Sequence, residues 1–204
     1  MNKTDYKKEL ERLYNGKAGR PVAVEVPPMN FLMIDGHGDP NTSQEYADAL
    51  TALYPVAYTI KFMCRRELSE DFGVMPLEGL WWADDMSAFG VEDRSNWLWT
   101  AMIMQPDLVT KEMFGRSVTQ VAAKKNPESL DRVRFEVFDE GRAAQVVYLG
   151  AYADEGPTIR QLHAFIEEQG GKLDGTDKHH HEIYLSDPRR TDSSKLKTII
   201  RQPY

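Results

Sequence analysis

A short pattern recurs in the two halves of the chain, and this echo limits the folds open to it. FLMIDGHGD (31–39) and VVYLGAYAD (146–154) both read as an apolar strand, a break, an aromatic ring and an aspartate ahead of a helix. LWWADD (80–85) stands where EIYLSDP (182–188) stands, with Trp82-Ala83-Asp84 laid on Leu185-Ser186-Asp187. TAMIMQP (100–106) matches KTIIRQP (197–203). Each half therefore reads strand, helix, strand, strand. One amphipathic helix across a short antiparallel sheet buries little by itself. Two such units side by side predict an α+β fold: duplicated strand–helix–strand–strand modules, an antiparallel sheet, and a cleft at the pseudo-two-fold seam. A seam of that kind is a usual place for a ligand. The expected organisation is a single domain over 1–204, with module one at about 22–106, a connecting helix at about 110–125 and module two at about 132–204.

The local signals fit that plan. Tyr6, Leu10 and Leu13 have helical spacing over 3–14. Pro27 and Pro28 interrupt the apolar run 22–34, so a strand there starts late or lies at an edge. Asn41, Thr42 and Ser43 are candidate helix caps, with Glu45 completing a capping box with Thr42. The helix that follows should run to about residue 53, with Pro55 interrupting or kinking it and 56–66 continuing. Asp139-Glu140-Gly141 joins two strands as a hairpin. Pro157, near the first turn, and the glycines at 170–171 bracket one more helix.

Composition removes several classes of function. A net charge of −7 argues against direct nucleic-acid binding, which needs a basic patch. Cys64 is the single cysteine, so no internal disulfide forms and a reducing cytoplasm suits the chain. The polar N-terminus is no signal peptide. No run of about 18 apolar residues exists, so no membrane span is expected. Phosphate-loop, nucleophile-elbow and zinc-protease motifs are missing, and no cofactor is implied.

The segment HHHEIYLSDPRR (179–190) holds the candidate chemistry. On a strand, His179 and His181 share one face and His180 and Glu182 the other. A catalytic zinc needs three protein ligands, and neither His37 nor His163 has the spacing to supply the third. The expectation is therefore no metal, with the histidines partly solvated at a strand start. Ile183 and Leu185 form the apolar face and should pack on a helix. Glu182 and Tyr184 should then project from the other face. By residues alone, Glu182 reads as an exposed strand glutamate paired with Lys197 or Arg201.

At LEGLWW, TAMIMQPDLVT, LGAYADEGPTI and the tail HHEIYLSDPRRTDSSKLKTIIRQPY, the sequence resembles the GyrI-like small-molecule-binding family, over roughly residues 20–204. The nearer likeness is to its short stand-alone branch, some members of which hydrolyse cyclopropane-containing DNA alkylators within a cage of aromatic rings. Nothing here resembles the helix-turn-helix module of the regulator branch. The resemblance implies that Glu182 is the pocket carboxylate, with Tyr184 or Tyr152 donating to a developing phenolate. Alternation and the repeat register place Trp81, Tyr148, Tyr152 and Tyr184 on one concave surface with Glu182. Trp97 and Trp99 share a face and join the ligand-binding candidates, as do Met33 and Phe135, while Trp82 reads as core. The function implied is binding of planar apolar or cationic xenobiotics, with hydrolytic opening of strained alkylators. The alternatives are a drug-sequestering protein without turnover and a gyrase-inhibitor-like interaction protein.

Overall fold

The computed structural model describes residues 3–83, 94–173 and 178–204. Its strands are β1 (Lys3–Thr4), β2 (Val22–Val26), β3 (Met29–His37), β4 (Asp71–Phe72), β5 (Leu77–Trp82), β6 (Leu98–Gln105), β7 (Arg134–Phe138), β8 (Gly141–Leu149), β9 (His180–Tyr184) and β10 (Lys197–Pro203). The helices are α1 (Tyr6–Glu9), α2 (Glu11–Tyr14), α3 (Gln44–Met63), α4 (Lys111–Lys124) and α5 (Gly156–Glu168). Eight strands form one antiparallel sheet in the order β2-β8-β10-β9-β5-β6-β3-β7. Strands β1 and β4 make a separate short parallel pair. The fold is α+β, as expected.

The central pair is β5 and β9. On one side of it come β6 and β3, and on the other β10 and β8. Each half runs strand, helix, strand, strand. The outermost strands cross over: β2 precedes β3 but pairs with β8, and β7 precedes β8 but pairs with β3. Pro27-Pro28 explain the break between β2 and β3, because proline has no N–H for the ladder. β2 duly lies at the sheet edge. The duplication itself still rests on the short sequence matches, and Asp84 and Asp85 of one match lie outside the described residues.

Ser43 caps α3, its hydroxyl accepting from the Tyr46 amide at 3.4 Å. Glu45 instead reaches back to His37 and across to Arg132. The helix does not stop at Pro55. It continues to Met63, because Ala52, Leu53, Val56, Ala57 and Ile60 are all buried and hold both sides of the proline against the sheet. The N-terminal segment, expected as one helix, is two single turns that part at Leu10.

Residues directly opposed in an antiparallel ladder share a face. One face carries Gly79, Trp81, Trp99, His180, Glu182 and Tyr184. The other carries Glu78, Leu80, Met102, His181, Ile183 and Arg201. Both α3 and α5 lie on the Glu182 face. Tyr46 of α3 meets Trp81 and Trp99, and Leu162 and Ile166 of α5 pack with Val146 and Ile200. The N-terminal turns cover the opposite face, where Tyr14 bonds Glu78 and the Leu13 carbonyl accepts from Arg201. The expectation that Ile183 turns toward a helix of the modules and Glu182 away from it is thus reversed.

Candidate functional site

Between α3 and the start of α5 the sheet is left open as a cleft of about 960 Å³. Its floor is the central strand pair, which presents Trp81, Glu182 and Tyr184. Tyr46, Leu50 and Tyr54 wall it from α3; Trp97, Tyr152 and Glu155 wall it opposite. A second hollow of about 660 Å³, near the N-terminal turns, is lined by Lys8, Glu9, Arg12, Glu25 and Arg142 among others. It offers no aromatic ring and no buried carboxylate, so the chemistry belongs to the first.

The rings support one another. Trp81 lies 5.8 Å from Tyr46 and 5.9 Å from Trp97, centroid to centroid. The Arg94 guanidinium sits 4.7 Å over the Trp97 ring. Gly79 makes the Trp81 pose possible, since a Cβ there would stand 2.6 Å from the indole Nε1. That indole donates to the Tyr184 hydroxyl at 3.1 Å, and Tyr184 meets Tyr152 edge-on at 5.7 Å.

Two carboxylates are buried among these rings. His180 Nε2 lies 3.2 Å from Glu182 Oε1, a carboxyl oxygen of Glu155 comes within 4.8 Å, and Tyr184 stands beside them in the cleft. Burial opposes the Glu182 charge, but His180 and Tyr184 outweigh it and hold its pKa below the usual carboxylate range. Glu155 has the opposite fate. Burial and the neighbouring Glu182 push its pKa up to about 9, against the weaker pull of Arg94. It occupies the N-cap of α5 yet makes no side-chain cap bond, and its Oε2 is buried without a partner among the described residues. Burial, then Glu182, raise the Tyr152 hydroxyl to about 12 and push Tyr184 well above its ordinary value. Atoms of Glu155, His180 and Glu182 suited to metal ligation lie within 4.8 Å of one another. The same spacing lets the two carboxyls share one proton in place of a cation.

Of the residues singled out in the sequence, Trp81, Trp97, Tyr152, Glu182 and Tyr184 meet in the cleft. Four do not. Trp99 is wholly buried beneath it, edge-on to Tyr46 at 5.0 Å and filling the space that Gly36 leaves. Tyr148 shares the Glu182 face but packs with the α5 core and donates to the Ala151 carbonyl at 3.0 Å. Met33 lies on the opposite face, opposed to Met102. Phe135 is on the edge strand β7, stacked on Phe114 of α4. Trp82 is half-buried and stacks on His179 at 4.2 Å rather than joining the deep core. Of the three histidines, His179 is partly exposed as expected, but His180 is 5% exposed and His181 not at all. The sequence reading missed Glu155 and Tyr46. DEGP at 154–157 looks like ordinary helix-start chemistry, and Tyr46 has only its place on the inward face of α3 to mark it.

The residues 20–204 match the model of the GyrI-like small-molecule-binding domain. The chain belongs to this family. A crystal structure of an uncharacterized conserved protein from Listeria innocua is 42% identical, covers 98% of both chains and superposes with a TM-score of 0.90. A crystal structure of a hydrolase from the same organism is 41% identical over 99% of each chain, with a TM-score of 0.88. The C-terminal domain of EcmrR, 12% identical with a TM-score of 0.53, covering 90% of this chain and 96% of its own, shares the GyrI-like fold alone. No curated protein is significantly similar in sequence. Among the described residues no helix is long and apolar enough to cross a membrane.

Proposed function

We propose that the protein binds planar, largely apolar small molecules between the cleft rings and hydrolyses those that carry a strained electrophilic carbon, such as cyclopropane-containing DNA alkylators. The observation that carries this reading is one buried carboxylate, Glu182, held by His180 at the centre of an aromatic cleft. A close structural relative is described as a hydrolase, which supports it. The rings would hold the planar body by stacking. Glu182 would orient a water and take its proton as the new C–O bond forms, and Tyr152 would donate to the oxygen on which charge develops. Tyr184 accepts from Trp81 and stands beside Glu182 on the cleft floor, where it favours the carboxylate charge. Proximity and general-base help suffice for so reactive a substrate.

Mass spectrometry after incubation with a cyclopropanoid alkylator tests the reading. A released product heavier by one water is expected. Unchanged compound that stays bound would make the protein a sequestering one instead. Trp81→Ala should weaken ligand binding by roughly 1–3 kcal/mol, the scale of a lost stacking partner and its buried area. Titration calorimetry with an unreactive planar analogue measures it.

A further inference from the structure

We infer that Glu155 and Glu182 work as a one-proton carboxylate dyad that holds the lytic water, Glu182 as the ionised base and Glu155 as the protonated donor to the water oxygen. The inference rests on the hydrolytic reading above. Its geometry is independent of any ligand. Carboxyl oxygens of Glu155 and Glu182 lie within 4.8 Å of one another, and both residues are buried against the cleft. Two buried carboxyls so close do not both ionise, so the pair holds one proton. Glu155 is 8% exposed, leaves its own helix end uncapped, and keeps Oε2 unpartnered in the cleft. A buried oxygen left without a partner forfeits its hydration, and a water held between the carboxylates restores it.

The environment fixes which acid keeps the proton. His180 and Tyr184, on the same strand, both face Glu182 and stabilise its charge. Glu155 has only Arg94 to favour its charge, and Glu182 opposes it. Tyr46 from α3, Tyr152 ahead of α5 and Asp187 beyond β9 complete the titratable surroundings. Tyr46 and Tyr152 stay neutral because burial and Glu182 raise their pKa values. In the reaction, the water oxygen bonds to the strained carbon and the C–C bond breaks, its electron pair moving to the conjugated oxygen. The water proton goes to Glu182, and the new oxyanion takes a proton from Tyr152. Glu182 then returns a proton through solvent, and the net change is addition of one water.

The pH dependence follows from the two protonation states. Activity should fall as pH drops through the lowered pKa of Glu182 and as pH rises through the Glu155 value of about 9. Glu155→Gln keeps a donor and cannot titrate. It should run several-fold below wild type and lose the alkaline limb. Glu155→Leu, with no donor, should fall at least a hundredfold. A Glu155→Gln enzyme that keeps the alkaline limb, or loses as much as Glu155→Leu, overturns the dyad while leaving hydrolysis in place. Wild type that adds no water to a cyclopropanoid probe overturns the hydrolytic reading, and with it the catalytic dyad. Infrared spectroscopy of the unliganded protein needs no turnover: a protonated-carboxyl band at neutral pH, lost in Glu155→Gln, is expected, and its absence from wild type also overturns the proposal. A rate abolished by chelator and restored by zinc alone would replace the shared proton with a metal.

Discussion

Glu182→Gln should lower the rate of water addition by roughly 10²–10⁴-fold, the contribution of a positioned general base, and leave binding of a neutral planar analogue nearly unchanged. The amide keeps the shape of the carboxylate. It cannot take a proton from water. The Trp81 indole, which helps to hold the ligand, donates to the Tyr184 hydroxyl and not to the substituted group. Single-turnover rates and calorimetry on the same preparation separate the two effects. If Glu182→Gln turns over like wild type while folding normally, the base lies elsewhere in the cleft.

The strands that carry the site were legible because alternation is a local property. EIYLSD pairs Glu182 with Tyr184 on one face whatever lies above it, and both arrive in the cleft. Which face the helices cover was not legible. Ile183 and Leu185 alternate with Tyr184, and apolar residues at such spacing suggest helix packing. In this fold the helix side is left open over the central pair, so β9 presents polar and aromatic residues there. Ile183 faces the other way and is closed off by the N-terminal turns, while Leu185, just beyond β9, lines the cleft. That covering segment is more than 150 residues distant in sequence and contributes Tyr14, Leu13 and Arg12. No pattern within β9 announces it. The same distance hid the partners of the histidines. Glu140 read as a hairpin turn residue and Glu78 as one polar position in LEGLWW, yet both meet His181.

That meeting should dominate stability. His181 Nδ1 lies 2.9 Å from Glu140 and Nε2 lies 3.0 Å from Glu78, with all three side chains essentially unexposed. Carboxylates only accept, so both ring nitrogens must donate and the ring is an imidazolium. Arg201 completes the cluster, bonding Glu140, Gln145 and the Leu13 carbonyl. Two negative and two positive groups then balance. Burial disfavours the His181 charge, but Glu140 and Glu78 outweigh it and raise its pKa to about 9. Burial likewise opposes the Glu140 charge, and His181 and Arg201 overcome it, lowering its pKa to about 2. The signs differ. The histidine contribution is complete below its unfolded pKa of about 6.5 and is lost as pH rises toward 9. The Glu140 contribution is complete above about 4.5 and is lost as pH falls toward 2. Stability from this cluster should therefore be greatest between those unfolded values and decline on both sides. His181→Leu leaves Glu78 and Glu140 buried with Arg201 as the remaining cation, and removing one partner of a buried pair costs about 3–5 kcal/mol. Urea unfolding across that pH range measures both effects. A His181→Leu protein that loses less than about 1 kcal/mol, or a wild type whose stability stays flat from the plateau up to pH 9, would show that the ring is neutral and the cluster is not held by charge.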